Sequence, residues 1–145
     1  MIDTGFNCMR FQEGREQELK TEFIQVHPVL GFMALSFCYY MMGLFNYKPM
    51  LTDIAREPEK GGFHPFNPST QSFQAIDWRT WDMTTPQLSA AIAFWSNIRK
   101  VMNEEPAQVQ YVYETDISDG LGGWKRRQHI HTEFDNGKPL PKTIA

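Results

Sequence analysis

The chain has 145 residues, which corresponds to a single domain spanning 1–145. Hydrophobic residues make up 41% and charged residues 21%, which excludes general disorder, collagen-like repeats and a disulfide-dense scaffold. The net charge of −3 excludes a global basic field of the kind that attracts nucleic acid or an anionic membrane.

The N-terminal segment 1–22 is polar and charged, and it predicts a loosely held arm or a short helix. It lacks the apolar stretch of a signal peptide, so we expect the protein to be cytoplasmic when synthesised. Cys8 and Cys38 lie 30 residues apart, unlike the closely paired cysteines of thiolate zinc sites. We interpret them as a tail thiol and a small buried hydrophobic residue, because nothing in the sequence supports a disulfide between them.

The stretch 28–47 carries no charge for 20 residues, which is long enough to span a bilayer. Polar and tyrosine side chains in its middle, two glycines and the lack of a flanking basic cluster argue against a membrane span. Pro28 suits the first turn of a helix, and Pro49 prevents extension beyond about Asn46. We favour a buried core helix, with a membrane helix and an exposed hydrophobic helix as alternatives, and expect no stable membrane insertion.

Alternating apolar residues predict a strand over 49–56. The following segment, 57–72, is rich in Pro, Gly, Asn and Ser and predicts a loop. Loops of this length inside a compact domain are usually functional or disordered. A second strand is predicted over 73–79.

The sequence Thr84-Thr85-Pro86 predicts a helix start, with a hydroxyl cap and a proline at the first helical position. Apolar residues at helical spacing continue to about Asn103. The remaining elements are predicted to be a strand over 109–115, a glycine-rich turn over 116–127, a strand over 128–134 and a tail over 135–145.

These elements predict an α+β fold, with a small, mainly antiparallel sheet that carries helices on one face. The basic cluster 125–127 beside Trp124 is interpreted as a solvated turn, so no nucleic-acid partner is expected.

Two histidines one residue apart form the strongest local signal. Residues two apart on a strand share a face, so His129 and His131 should project side by side while Ile130 points into the core. Asp77 is flanked by apolar residues on its own strand, so its carboxylate should project away from them. Imidazole and carboxylate ligands suit zinc, and a three-ligand site leaves a fourth position for water.

Each of these residues also has a simpler interpretation. His64, in the long loop, can be a surface or capping residue, and the His-x-His pair can be structural. Asp77 can form an exposed ion pair with Arg79, which would contribute little to stability.

The order of these residues resembles the zinc D-Ala-D-Ala carboxypeptidase and endolysin family, the LAS-type metallopeptidases, which include lysostaphin-type and hedgehog-type folds. The matching segments are LTDIAR at 51–56, FQAID at 73–77 and HIHTEF at 129–134. The helix after His27 is similar to the family's first helix. The resemblance covers residues 26–134 and implies a hedgehog/DD-peptidase-like fold.

The resemblance also implies a Zn²⁺ cofactor held by His64, Asp77 and His131. It assigns His129 as the catalytic base or transition-state donor. Arg56 would lie near the substrate carbonyl or carboxylate, where its planar fork can bind either group.

The spacing departs from the family pattern, because His64 and Asp77 are 13 residues apart and the family's gap is shorter. A gapless alignment puts Thr70 at the ligand position, and Phe73 and Gln74 where Gly and Arg are usual. Either FNPSTQ is an insertion and His64 still reaches the metal, or the site has lost a ligand; we favour retention.

The resemblance implies a zinc-dependent peptidase that cleaves peptidoglycan stem peptides. It would be a phage-type endolysin or a D,D-/L,D-carboxypeptidase that acts on the cell wall after release. One alternative is a non-catalytic phage structural or interaction protein on the same fold with a degenerate metal site. Another is a small membrane-associated protein that uses 28–47.

Overall fold

The computed structural model describes residues 7–54, 71–102, 109–114, 117–118, 124–126 and 129–134. Its helices are α1 (Glu16–Ile24), α2 (Pro28–Phe45) and α3 (Thr85–Met102). Its strands are β1 (Arg10–Phe11), β2 (Met50–Asp53), β3 (Ala75–Arg79), β4 (Val109–Glu114), β5 (Ile117–Ser118), β6 (Trp124–Arg126) and β7 (His129–Phe134). The predicted α+β class is confirmed.

Five strands form the main sheet in the order β1-β2-β3-β7-β4, and β5 pairs with β6 separately. The three pairings β2–β3, β3–β7 and β7–β4 are antiparallel, whereas β1 runs parallel to β2. The expectation of a mainly antiparallel sheet was wrong, because the sheet is mixed. The chain passes through α1 and α2 between β1 and β2, and a helical connection of this kind allows two strands to run in the same direction.

The N-terminal segment is not a loosely held arm over its described part. The side chains of Cys8, Phe11 and Leu19 are buried in the core. Arg15 links the start of α1 to the sheet, because its guanidinium donates a hydrogen bond to the backbone oxygen of Thr52 at 2.9 Å. The alternative of a short helix is confirmed by α1.

The predicted helix after His27 is confirmed as α2. Its start is capped by the His27 ring, whose Nδ1 accepts a hydrogen bond from the backbone N–H of Val29 at 3.2 Å. Asn46, in the left-handed conformation with φ of 51°, ends it. By length and apolar composition, α2 is the one helix in the described part of the chain that could cross a membrane. Its buried side chains are Leu30, Ala34, Phe37, Cys38 and Met41.

Phe37 joins the helices to the sheet. Its ring centroid lies 5.3 Å from that of Trp78 on β3 and 5.2 Å from that of Trp95 on α3. Trp78 shares its sheet face with Ile76 and, across the ladder, with Ile130, all of which are fully buried. One face of the sheet therefore packs against the helices, and side chains of the opposite parity are directed away from them.

The segment 116–127, predicted to be a turn, contains the short strands β5 and β6, which the sequence analysis did not predict. Most of the predicted loop over 57–72 and the whole predicted tail over 135–145 lie outside the described residues.

Candidate functional site

The strands β3 and β7 bring Asp77 and His131 directly opposite each other. These two residues are Cα partners in the antiparallel ladder, and Arg79 is the partner of His129. Because side chains alternate along a strand, His129, His131 and Glu133 all project to the face of Asp77, away from the helices. The predicted side-by-side placement of the two histidines, with Ile130 in the core, is confirmed.

The carboxylate of Asp77 lies between the two imidazoles. Its Oδ1 is 2.8 Å from Nδ1 of His131, which is hydrogen-bond distance, and its Oδ2 is 3.9 Å from Nε2 of His129. On the other side of the His131 ring, Nε2 is 2.7 Å from Oε1 of Glu133. His131 is thus held at both nitrogens by carboxylates.

The site is largely closed to solvent. Asp77 and Glu133 are only 4% and 2% exposed, and His129 is also buried. Burial lowers the pKa of His131, but the hydrogen bonds and negative charges of Asp77 and Glu133 outweigh it and raise the pKa to about 10. Asp77 and Glu133 therefore favour the imidazolium form of His131 in the metal-free protein.

The donor types at this site fit zinc, which binds imidazole nitrogen and carboxylate oxygen. Neighbouring ligand atoms in a tetrahedral zinc site are separated by about 3.3 Å, given bonds of roughly 2.0–2.1 Å. The separation between Oδ1 of Asp77 and Nδ1 of His131, the two described ligand atoms, is 2.8 Å, which is shorter than that value because the two atoms share a hydrogen bond. A metal-ligating histidine usually donates its other N–H to a carboxylate, and Glu133 is placed to accept it.

In this structure, however, Asp77 and Glu133 are within hydrogen-bond distance of the two ring nitrogens of His131. Among the described residues, no group of three or more His, Cys, Asp or Glu side chains has an arrangement that could hold a metal ion. The third predicted ligand, His64, and the predicted substrate-binding Arg56 both lie outside the described residues. The structure brings together Asp77, His129 and His131 from the predicted set.

One residue at this face, Glu133, was missed by the sequence reasoning, and a second, Arg79, was considered only as an ion-pair partner of Asp77. Glu133 stands two positions after His131, and the same period-two rule that paired the histidines would have included it. Arg79 stands two positions after Asp77, and its guanidinium carbon lies 4.4 Å from the centroid of the Trp81 ring. Arg79 therefore makes a cation–π contact at the rim of this face.

No family model, curated protein or solved structure matches the chain. Any function assigned to it therefore depends on its own residues and their geometry.

Proposed function

We propose that this protein is a zinc-dependent peptidase that cleaves peptidoglycan stem peptides, synthesised in the cytoplasm and acting on the cell wall after release. The observation that carries the proposal is the convergence of Asp77, His129 and His131 on one sheet face from two neighbouring strands. In this proposal Asp77 and His131 hold the zinc, with His64 as the third ligand.

When bound, zinc lowers the pKa of a coordinated water to about 7 and polarises the scissile carbonyl. Glu133 would orient the His131 ring for this metal. Glu133 accepts the N–H at Nε2 of His131, which directs Nδ1 of the same ring towards Asp77 and the ligand position. This hydrogen bond fixes the tautomer that a metal ligand requires.

His129 is the proposed proton carrier, because its Nε2 lies 3.9 Å from Oδ2 of Asp77, beside the proposed ligand position. A neutral imidazole there can accept a proton at Nε2 from the attacking water and return it to the leaving amine. The burial of His129 keeps this proton from bulk solvent. Arg56 is proposed to hold the substrate carboxylate or developing negative charge.

One observation favours a second candidate, a non-catalytic structural or interaction protein on the same scaffold. Both ring nitrogens of His131 are engaged by carboxylates, so a protonated His131 offsets one of the two buried negative charges of Asp77 and Glu133 without a metal. A degenerate site can retain such an ion triad as a purely structural unit.

Metal content separates the two candidates. The peptidase proposal predicts about one zinc per chain in protein purified without chelator. Zinc should be lost in Asp77→Asn, His131→Ala and His64→Ala, as measured by elemental analysis. His27→Asn is the matched control, because asparagine can still cap α2 while one histidine is removed. Wild-type protein that takes up no zinc would contradict the proposal.

Catalysis is tested on purified sacculi. Wild-type protein should reduce their turbidity and release peptide fragments that mass spectrometry assigns to one bond. His129→Gln should keep its zinc and lose about 100-fold or more in rate, because a positioned general base contributes about that much. Equal rates for His129→Gln and wild type would remove His129 from the mechanism. Zinc binding with no release of fragments by the wild type would favour the non-catalytic candidate.

A further inference from the structure

Arg79 is a charged side chain beside the two histidines that the proposed mechanism does not use. It is the Cα partner of His129 across the ladder, and it follows Asp77 by two positions. Its side chain therefore leaves the sheet on the same face as the site. The guanidinium carbon lies 4.4 Å from the centroid of the Trp81 ring. This cation–π contact holds the guanidinium at one side of the site.

The guanidinium of Arg79 lacks the acceptor that a buried arginine normally has. Asp77 pairs with His129 and His131 instead, and no carboxylate in the described part of the chain lies within ion-pair distance of Arg79. The Nε atom of Arg79 is buried, with no hydrogen-bond partner among the described residues. Leaving a buried donor without an acceptor costs free energy, and a ligand that supplies the acceptor would account for the arrangement.

Arg10 provides a comparison within the same chain. Its guanidinium carbon also lies over an aromatic ring, 5.1 Å from the centroid of Tyr47. However, its Nη2 is 3.2 Å from Oδ2 of Asp82, and its Nε donates to the backbone oxygen of Lys48 at 2.7 Å. The charge of Arg10 is therefore met by the fold itself, whereas the charge of Arg79 is available to a ligand.

Arg79 also stands between the buried part of the site and the surface. Exposure rises along this stretch of chain, from 4% at Asp77 to 42% at Trp81, and Arg79 between them is partly exposed. A ligand that approaches Asp77 from this more open end therefore passes the guanidinium.

We propose that Arg79 binds a free carboxylate on the residue that follows the scissile bond, which restricts the substrates to peptides with such a leaving residue. This inference rests on the proposed peptidase function. The planar guanidinium can make two parallel hydrogen bonds to a carboxylate. Water adds across the peptide bond, with its hydroxyl on the carbonyl carbon and its proton on the nitrogen, and the C–N bond breaks. The leaving residue can end a peptide, or it can be the amine half of a cross-link that keeps a free carboxylate.

The spacing of Asp77 and Arg79 fits a carboxylate one residue after the scissile bond. Two positions along a strand separate them by about 6.5 Å. One extended substrate residue spans about 3.5 Å, and a charge-assisted hydrogen bond to the guanidinium adds about 2.8 Å. A substrate with an ordinary peptide linkage at this place would leave the guanidinium charge unpaired. Arg56 would then act on the developing negative charge.

The experiment measures binding of a synthetic stem peptide to the full chain after chelator treatment, so that nothing is cleaved. Calorimetry compares the peptide that ends in a free carboxylate with the same peptide ending in an amide. Wild-type protein should bind the acid about 10-fold or more tightly, because the amide cannot form the charge-assisted pair.

The variants separate binding from a structural role. Arg79→Gln should weaken binding of the acid by about 10-fold and leave binding of the amide unchanged. A purely structural role would weaken both forms alike and would overturn the proposal. Arg10→Gln is the matched control, because Arg10 also lies over an aromatic ring but has its own carboxylate partner. It should keep the preference for the acid.

Three further results would overturn the proposal. They are equal affinities of the wild type for acid and amide, no measurable binding of either form, and a preference for the acid that survives in Arg79→Gln. The first two are read on wild-type protein, so they do not depend on whether a variant folds.

Failure of this inference is distinguishable from failure of the proposed function. A preference for the acid that depends on Arg79 supports the carboxylate site even if the protein binds no zinc and cleaves nothing. Conversely, zinc-dependent cleavage at a bond whose leaving residue has no free carboxylate would overturn the inference and leave the peptidase proposal standing.

Discussion

At the scale of single residues, the unusual feature is an imidazole clamped between two buried carboxylates. His131 meets Asp77 at 2.8 Å and Glu133 at 2.7 Å, on opposite sides of its ring. Two buried carboxylates in one small space would repel each other strongly, and a protonated His131 relieves that repulsion. The same ring can exchange its Nδ1 proton for a metal, since both a proton and zinc occupy a nitrogen lone pair.

Glu133→Gln should lower the pKa of His131 in chelator-treated protein by about 1–3 units. The change removes one negative charge and keeps the shape of the side chain, so loss of charge is the cause. The pKa of His131 is measured by NMR titration of its ring protons. Glu18→Gln is the control, because Glu18 is an exposed partner of Arg15 on α1. An unchanged pKa of His131 in Glu133→Gln would contradict the assigned role of Glu133.

The pKa of His131 also predicts how stability depends on pH. The pKa rises from about 6.5 in the unfolded chain to about 10 in the folded one, so the folded state binds the proton more tightly. The resulting stabilisation is fully present below about pH 6.5 and is lost as pH rises through about 10.

Urea unfolding of chelator-treated protein between pH 6 and 10 measures this contribution, with His131→Gln as the reference at each pH. The difference in unfolding free energy between the two proteins should shrink towards high pH. A difference that stays constant over that range would show that His131 does not hold the extra proton.

At the scale of elements, the start of α3 shows how closely a local pattern can determine structure. The Thr84 hydroxyl accepts a hydrogen bond from the backbone N–H of Gln87 at 3.3 Å, and the Gln87 side chain accepts one from the backbone N–H of Thr84 at 2.9 Å. These reciprocal bonds form a capping box. The predicted hydroxyl cap is therefore confirmed, at Thr84. Pro86 is the second helical residue and not the predicted first one, because α3 begins at Thr85.

Thr84→Ala should destabilise the protein by about 1 kcal/mol, because it leaves a backbone N–H of the first turn without its side-chain partner. Thr85→Ala is the matched control, since Thr85 is an adjacent, exposed threonine that follows the cap. Urea unfolding measures both. Equal losses for the two variants would show that the capping box contributes nothing measurable.

At the scale of the whole molecule, the helical layer and the sheet meet at one aromatic cluster. Phe37 of α2 contacts Trp78 of β3, and Phe94 and Trp95 of α3, with ring centroids 5.2–5.5 Å apart. Trp78 stands next to Asp77 on the same strand, with its side chain on the other face. Packing on the helical face therefore fixes the strand that carries the site.

Phe37→Ala should cost about 3–5 kcal/mol of stability, because it leaves a cavity where three elements meet. Tyr39→Ala, on the same helix but 56% exposed, should change stability by less than about 0.5 kcal/mol. Thermal or urea unfolding compares them. A comparable loss at Tyr39 would indicate that the exposed side of α2 is covered by something else, such as a partner chain or a membrane.

The sequence by itself determined the local elements and the facing of the strand residues. Proline residues marked both ends of α2, a hydroxyl cap with proline marked the start of α3, and period-two alternation put His129 and His131 on one face. These features depend on residues a few positions away in the sequence, so the sequence pattern alone can predict them. The parallel pairing of β1, the strands β5 and β6, and the burial of Cys8 do not depend on such neighbours.

Only the tertiary structure decided which distant residues meet. Asp77 and His131 are 54 positions apart, and their contact follows from the register of β3 against β7. The carboxylate of Glu133 on the second ring nitrogen was decided in the same way. So was the burial of Cys8, which the sequence analysis interpreted wrongly as a tail thiol. The physical reason is that register and crossover are set by packing of the whole core, whereas alternation and capping are set within one turn or one strand.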